Sequence, residues 1–141
     1  MTKRVIKLGN VRSELEKGGV IQRERLYWST NKWKQYKLLK DVHLELSNKD
    51  IITIPKGFEW DLSSVPRLFW AIMPPDGDFE IGALIHDYIY QTKNYSRKFG
   101  DLEMFIWSKV TNSTSKWSIK NIDNYVRYYI VRLFGGFVWK R

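Results

Sequence analysis

The stretch Ile85-His86-Asp87-Tyr88-Ile89-Tyr90 constrains this chain more than any other. Ile81, Leu84, Ile85, Tyr88 and Ile89 recur at helical spacing, which predicts a helix from Phe79 to about Thr92 with one apolar stripe. Asp78 precedes it as an N-cap, its carboxylate accepting from first-turn amides. Thr92 to Tyr95 leaves room only for a tight connection, and Ser96 then caps a second helix, Arg97 to about Val110. Two helices joined so closely fold back antiparallel. The midpoint of the link falls between Lys93 and Asn94, so His86 stands as far before it as Asp101 stands after it. At ~1.5 Å per residue the two reach the same height on facing helices. There a carboxylate fixes the tautomer and orientation of an imidazole. Asp87, beside the His, is placed to hold a hard cation or to orient water.

The other reading of these residues is a satisfied polar pair with no chemistry, because a half-buried charge needs a partner whether or not it reacts. Length and composition bound the choice. A chain of 141 residues, 43% of them apolar, suits one domain spanning 1–141, with 1–19 as a loosely held N-terminal arm. The absence of cysteine excludes disulfides, cysteine nucleophiles and thiolate zinc sites. No apolar run approaches the length of a membrane span, and Met1-Thr2-Lys3-Arg4 is not followed by the apolar core of a signal peptide. A net charge of +9, spread along the chain, points to anionic partners such as lipid or nucleic acid. No known nucleic-acid-binding motif accompanies it.

Strand signals fill the first half. Arg4 to Leu8, Val20 to Trp28, Tyr36 to Leu39, Val42 to Leu46, Ile51 to Ile54 and Phe58 to Trp60 are short extended candidates. Val42, Leu44 and Leu46 alternate with His43 and Glu45, so His43 belongs on the solvated face. Ser47-Asn48-Lys49-Asp50 closes a hairpin. Asp61-Leu62-Ser63-Ser64-Val65-Pro66 follows, where Ser63 or Ser64 caps a short helix with Pro66 in its first turn. The same turn places a carboxylate and two hydroxyls at a strand end, where binding groups collect. Pro74-Pro75-Asp76-Gly77 turns the chain into the His86 helix. Ser113 to Lys116 lead to a third helix, about Trp117 to Phe134, which Gly135-Gly136 is expected to end, with the tail Phe137 to Arg141 packing back on the sheet or touching a lipid or a partner. The fold class expected is α+β: a small antiparallel sheet in the N-terminal half packed on a three-helix C-terminal half that contains the αα-hairpin.

With these residues set out, the chain resembles a family of small phage and prophage proteins, the domain of unknown function 1353 family. The shared blocks run from about Ile54 to Gly136 and include Gly57-Phe58, Asp61 to Pro66, Pro74 to Gly77, His86 to Tyr90, Ser96-Arg97, Gly100 to Phe105 and Arg132 to Gly136. Leu62 and Gly100 depart from it, where Gly and Ala are more usual. The resemblance implies a phage origin, with a place in the host cytoplasm or the virion, and no particular activity. Separately, His86-Asp87-x-x-Tyr90 is similar to the active helix of phospholipase A2 enzymes, including the cysteine-free version on parvovirus capsids. That similarity implies that His86 activates water, Asp87 binds calcium, Asp101 orients His86 and Tyr90 supports Asp101. The Gly-rich calcium loop of those enzymes has no counterpart here, and only the Asp61–Ser64 turn is placed to supply the missing oxygens.

Two functions follow from different classes. In a hydrolase, His86 takes a proton from water, Asp101 holds His86, Asp61 and Asp87 share a divalent cation, and Ser63, Ser64 and Tyr90 support the site; lipid or other esters, cell-wall bonds and phosphodiesters are the candidate substrates. In a non-enzymatic virion or host-directed binding protein, the same residues form a polar network that specifies the fold, and the partners are phage structural proteins or an anionic surface.

Overall fold

The computed structural model describes residues 4–19, 21–25, 36–60, 80–111 and 119–139. The chain divides into two compact units, Met1–Trp60 and Asp61–Arg141. The α+β class read from the sequence is what the structure shows, with all strands among the described residues in the first unit.

In the first unit, β1 (Val5–Ile6), β4 (Val42–Glu45) and β5 (Ile51–Ile54) form one sheet in the order β1-β4-β5. The β4–β5 hairpin pairs Val42 with Ile54 and Leu44 with Ile52, so the alternating apolar residues of both strands bury on one face. Its turn is closed by the Leu46 and Asp50 backbones and by Lys49, which adopts a positive φ of 75°. His43 lies on the other face, where its Nδ1 meets Thr53 Oγ1 across the ladder at 2.8 Å. The second sheet has the order β2-β3-β6, built from Arg23–Arg25, Tyr36–Leu38 and Glu59–Trp60. The expected single antiparallel sheet is therefore divided in two, and β1 joins β4 in parallel.

A seven-residue helix, α1 (Val11–Lys17), lies within 1–19, the segment expected to be a loosely held arm. Val11 is fully buried and anchors it, Arg4 pairs with Glu14 on its outer side, and Gly18 ends it at φ 74°. Ile6, Val11, Leu38, Leu44, Leu46, Ile54 and Trp60 are the buried apolar side chains of this unit that set its interior.

The second unit holds α2 (Glu80–Thr92), α3 (Arg97–Thr111) and α4 (Ile119–Trp139). Ile81, Leu84, Ile85 and Ile89 are buried, as the stripe required. The α2–α3 link is as tight as its length predicted. Lys93 turns the chain at φ 55°, and the Ser96 side chain accepts from the Phe99 amide at 3.1 Å as the N-cap of α3. Close approaches fix the direction of the hairpin: Gly82 lies against Met104 and Ser108, and Gly100 against Ile89 and Tyr90. An advance along α2 thus meets a retreat along α3, which makes the pair antiparallel. Gly100, where Ala is more usual in the family, lets the two backbones approach, because a Cβ there would stand 2.9 Å from an Ile89 methyl.

One expectation fails in α4. Gly135-Gly136 does not end the helix, which continues to Trp139, so the segment read as a tail is helical through that residue. The reason is packing: a side chain at 135 would run into the Tyr90 hydroxyl and the Arg97 guanidinium. Glycine here serves a close helix contact rather than a helix stop. The expected cap at Asp78, the turn at Pro74–Gly77, the short helix after Ser64 and the link at Ser113–Lys116 lie outside the described residues.

Candidate functional site

The hairpin brings His86 and Asp101 together as the equal spacing from the link required. His86 Nε2 is 2.7 Å from Asp101 Oδ1, and both side chains are wholly buried. The Tyr90 hydroxyl, one turn beyond His86, donates to the same Oδ1 at 2.6 Å. The imidazole and phenol rings lie 4.1 Å apart between centroids, and Trp139 from α4 meets Tyr90 in a T-shaped contact with centroids 5.3 Å apart. Asp101 Oδ2 faces the other way and accepts from Arg132 of α4 at 2.8 Å, with Arg97 at 3.7 Å. Arg97 is itself held by the Val131 and Arg132 carbonyls of α4 at 3.2–3.3 Å. Three helices therefore converge on one carboxylate.

This arrangement sets the charges. Burial opposes ionisation of Asp101, but hydrogen bonds from His86, Tyr90 and Arg132 outweigh it and hold its pKa below the ordinary 3.8. Burial likewise opposes the imidazolium of His86, yet the carboxylates of Asp101 and then Asp87 prevail and raise its pKa above 6.5. Burial and the bond to Asp101 push the Tyr90 phenol upward, so it stays a protonated donor. Since Asp101 is an acceptor only, Nε2 is the nitrogen that carries hydrogen toward it. Nδ1 points to the Asp87 side, 3.8 Å from Oδ1 of that nearly buried carboxylate.

Of the residues singled out by sequence, the structure joins His86, Asp101 and Tyr90 in one hydrogen-bonded cluster and sets Asp87 beside it. Asp61, Ser63 and Ser64 lie outside the described residues. Among the described residues no group of three or more His, Asp or Glu is arranged to hold a metal ion. The oxygens expected to complete a cation site with Asp87 belong to Asp61, Ser63 and Ser64, outside those residues.

Sequence reasoning gave no role to Arg97 and Arg132. Arg97 was legible in principle, since it stands four residues before Asp101 on α3, the spacing of a helical ion pair. Arg132 is separated from Asp101 by 31 residues and leaves no local signal. A further buried pair, Trp107 Nε1 donating to Glu103 Oε2 at 3.0 Å, lies one turn on along α3.

No curated protein and no solved structure matches this chain. A family model described as protein of unknown function (DUF1353) matches residues 36–122. That span starts earlier than the blocks read from Ile54 onward and stops before Arg132 to Gly136, yet it takes in the whole α2–α3 hairpin and covers more than half of the chain. The chain belongs to the DUF1353 family.

Proposed function

We propose that this protein is a small hydrolase of phage origin in which His86 is the general base and Asp101 the group that orients it. The observation that carries this reading is the 2.7 Å contact between His86 Nε2 and Asp101 Oδ1 across the hairpin, with Nδ1 turned toward a second carboxylate. In the reaction, Nδ1 takes a proton from water as the water oxygen adds to an ester carbonyl and the carbonyl π pair moves to its oxygen; on collapse the carbon–alkoxide bond breaks and the imidazolium gives its proton to the departing alkoxide. The imidazolium so formed is stabilised through Nε2–H by Asp101, whose own charge is secured by Tyr90 and Arg132. Because the His86 pKa is raised above 6.5, the competent neutral form grows as pH rises, and turnover rises with it.

A second reading rests on a different observation: neither His86 nor Asp101 exposes any side-chain surface. In a virion component or host-directed binding protein the cluster is then a buried polar network that locks three helices into one arrangement. The two readings separate on one experiment. Chromogenic carboxylate esters, phospholipid vesicles, peptidoglycan and a phosphodiester are offered to the full chain, with and without calcium, manganese or zinc. The hydrolase reading expects turnover of one class, reduced about 10²–10⁴-fold by His86→Asn with the helical circular-dichroism signal retained. No turnover of any class, together with a His86→Asn variant that loses its cooperative unfolding transition, overturns it in favour of the network.

A further inference from the structure

The sheet built from β1, β4 and β5 ends in an edge that its sequence does not protect. Natural sheets blunt their edges with charge, proline or brevity, because a free row of N–H and C=O groups is a template for another strand. Of the edge strands among the described residues, β1 and β6 have two residues each, and β2 reads Arg23-Glu24-Arg25. β5 differs from all of these. Ile51-Ile52-Thr53-Ile54 is four residues long, uncharged and β-branched throughout. Ile51 is 62% exposed, and Thr53 is exposed on the same face.

The hairpin register decides which backbone groups that edge offers. The Leu46 N–H donates to the Asp50 carbonyl at 2.8 Å, and antiparallel ladders alternate between bonded and non-bonded pairs. Followed through Leu44–Ile52 and Val42–Ile54, the bonded pairs use residues 50, 52 and 54. Ile51 and Thr53 therefore turn their N–H and C=O groups outward, away from β4. Alternating donors and acceptors of this kind select an extended strand as partner, and their symmetry selects which strand. An antiparallel two-fold pairing centred on Ile52 sets Ile51 of one copy opposite Thr53 of the other, and every outward group of both copies finds a partner. Centring on Thr53 instead sets Ile51 against Pro55, which has no N–H to give. The charges agree with the first register. Asp50 precedes the strand and Lys56 follows it, so the pairing brings each Asp50 to a diagonal position beside Lys56 of the other copy, and no like charges stand opposite.

We propose that β5 is a self-association edge, through which two copies of this chain join these sheets into one. The proposal is independent of the hydrolase reading, since it concerns assembly and not turnover. The test is sedimentation velocity of the full chain over a concentration series reaching about 0.5 mM, which brings a weak contact within range. Salt near 0.15 M screens the charge of +9 on each copy beyond about 8 Å. The expected result is a reversible monomer–dimer equilibrium. Ile51→Lys sets a charge on the exposed edge, and Thr53→Pro deletes an outward N–H without removing a bond to β4. Each should weaken the dimer roughly tenfold or more. Leu133→Lys, at a residue of α4 that is 74% exposed, should leave it unchanged. Matching urea midpoints establish that the variants are folded, and if Thr53→Pro does not fold, Ile51→Lys decides alone. A chain that is monomeric at every concentration, or a dimer that any folded β5 variant leaves intact, overturns the proposal. So does a dimer that Leu133→Lys splits, which would place the contact on α4.

Discussion

Replacing Asp101 by Asn keeps the size of the side chain and removes its charge. The carboxylate receives hydrogen bonds from His86, Tyr90 and Arg132 at 2.7, 2.6 and 2.8 Å. Bonds to a charged group are worth about 1.5–3 kcal/mol each, but they are not additive here. Asn keeps one oxygen acceptor, and Arg132, 30% exposed, can turn to water. What cannot relax is the wholly buried His86 and its neighbour Tyr90. Removing one partner of a buried pair costs about 3–5 kcal/mol, and the freedom of Arg132 puts Asp101→Asn near the lower end, about 3 kcal/mol. The sign of the pH dependence sharpens the test. In the wild type the His86 pKa is raised, so its contribution is fully present below 6.5 and is lost as pH rises through the folded-state value. In Asp101→Asn burial faces less opposition, the His86 pKa falls, and a buried neutral imidazole loses stability on acidification. Urea unfolding at about pH 5.5 and about pH 8 should therefore show a larger gap between variant and wild type at the lower pH. A loss below about 1 kcal/mol, or a gap that is the same at both pH values, would refute the reasoning.

Three further outcomes follow from the same contacts. Gly135→Ala, despite the usual helix preference of about 1 kcal/mol for Ala, should destabilise by about 1–3 kcal/mol because its Cβ meets Tyr90 and Arg97. Gly136→Ala, with nothing within 4 Å of the added Cβ, should stabilise instead, and thermal melts of the pair decide. Tyr90→Phe removes one donor from Asp101 while keeping the ring stack, and should cost about 1–2 kcal/mol in urea unfolding. In acid, the lowered Asp101 pKa contributes stability that is present above 3.8 and is lost as pH falls through its folded-state value, so Asp101→Asn should show a shallower acid limb in unfolding followed by circular dichroism.

The hairpin was legible because its determinants are local: an apolar stripe, a capping serine and a link too short for any other path. Once those are set, helix rise alone puts His86 opposite Asp101. The third helix was placed correctly in its interior but not at its end. A Gly-Gly pair reads as a stop unless the Tyr90 hydroxyl that occupies the missing side-chain space is known. Arg132 and the parallel β1–β4 pairing were invisible for one reason, since each joins residues more than 30 positions apart with no intervening periodicity. α1 escaped notice because only Val11 of its seven residues is buried, leaving almost no apolar pattern to detect.

The charge state of His86 is the most direct measure of the central claim, that its imidazole is held across the hairpin by the Asp101 carboxylate. The chain has two histidines, so each ring gives its own nitrogen and carbon resonances in nuclear magnetic resonance. Titration should show His86 losing its proton at a pH above 6.5, with a downfield Nε2–H protected from exchange, and both signatures should vanish in Asp101→Asn. A His86 ring that titrates at or below 6.5 in the wild type, or that titrates alike with and without Asp101, would contradict the account.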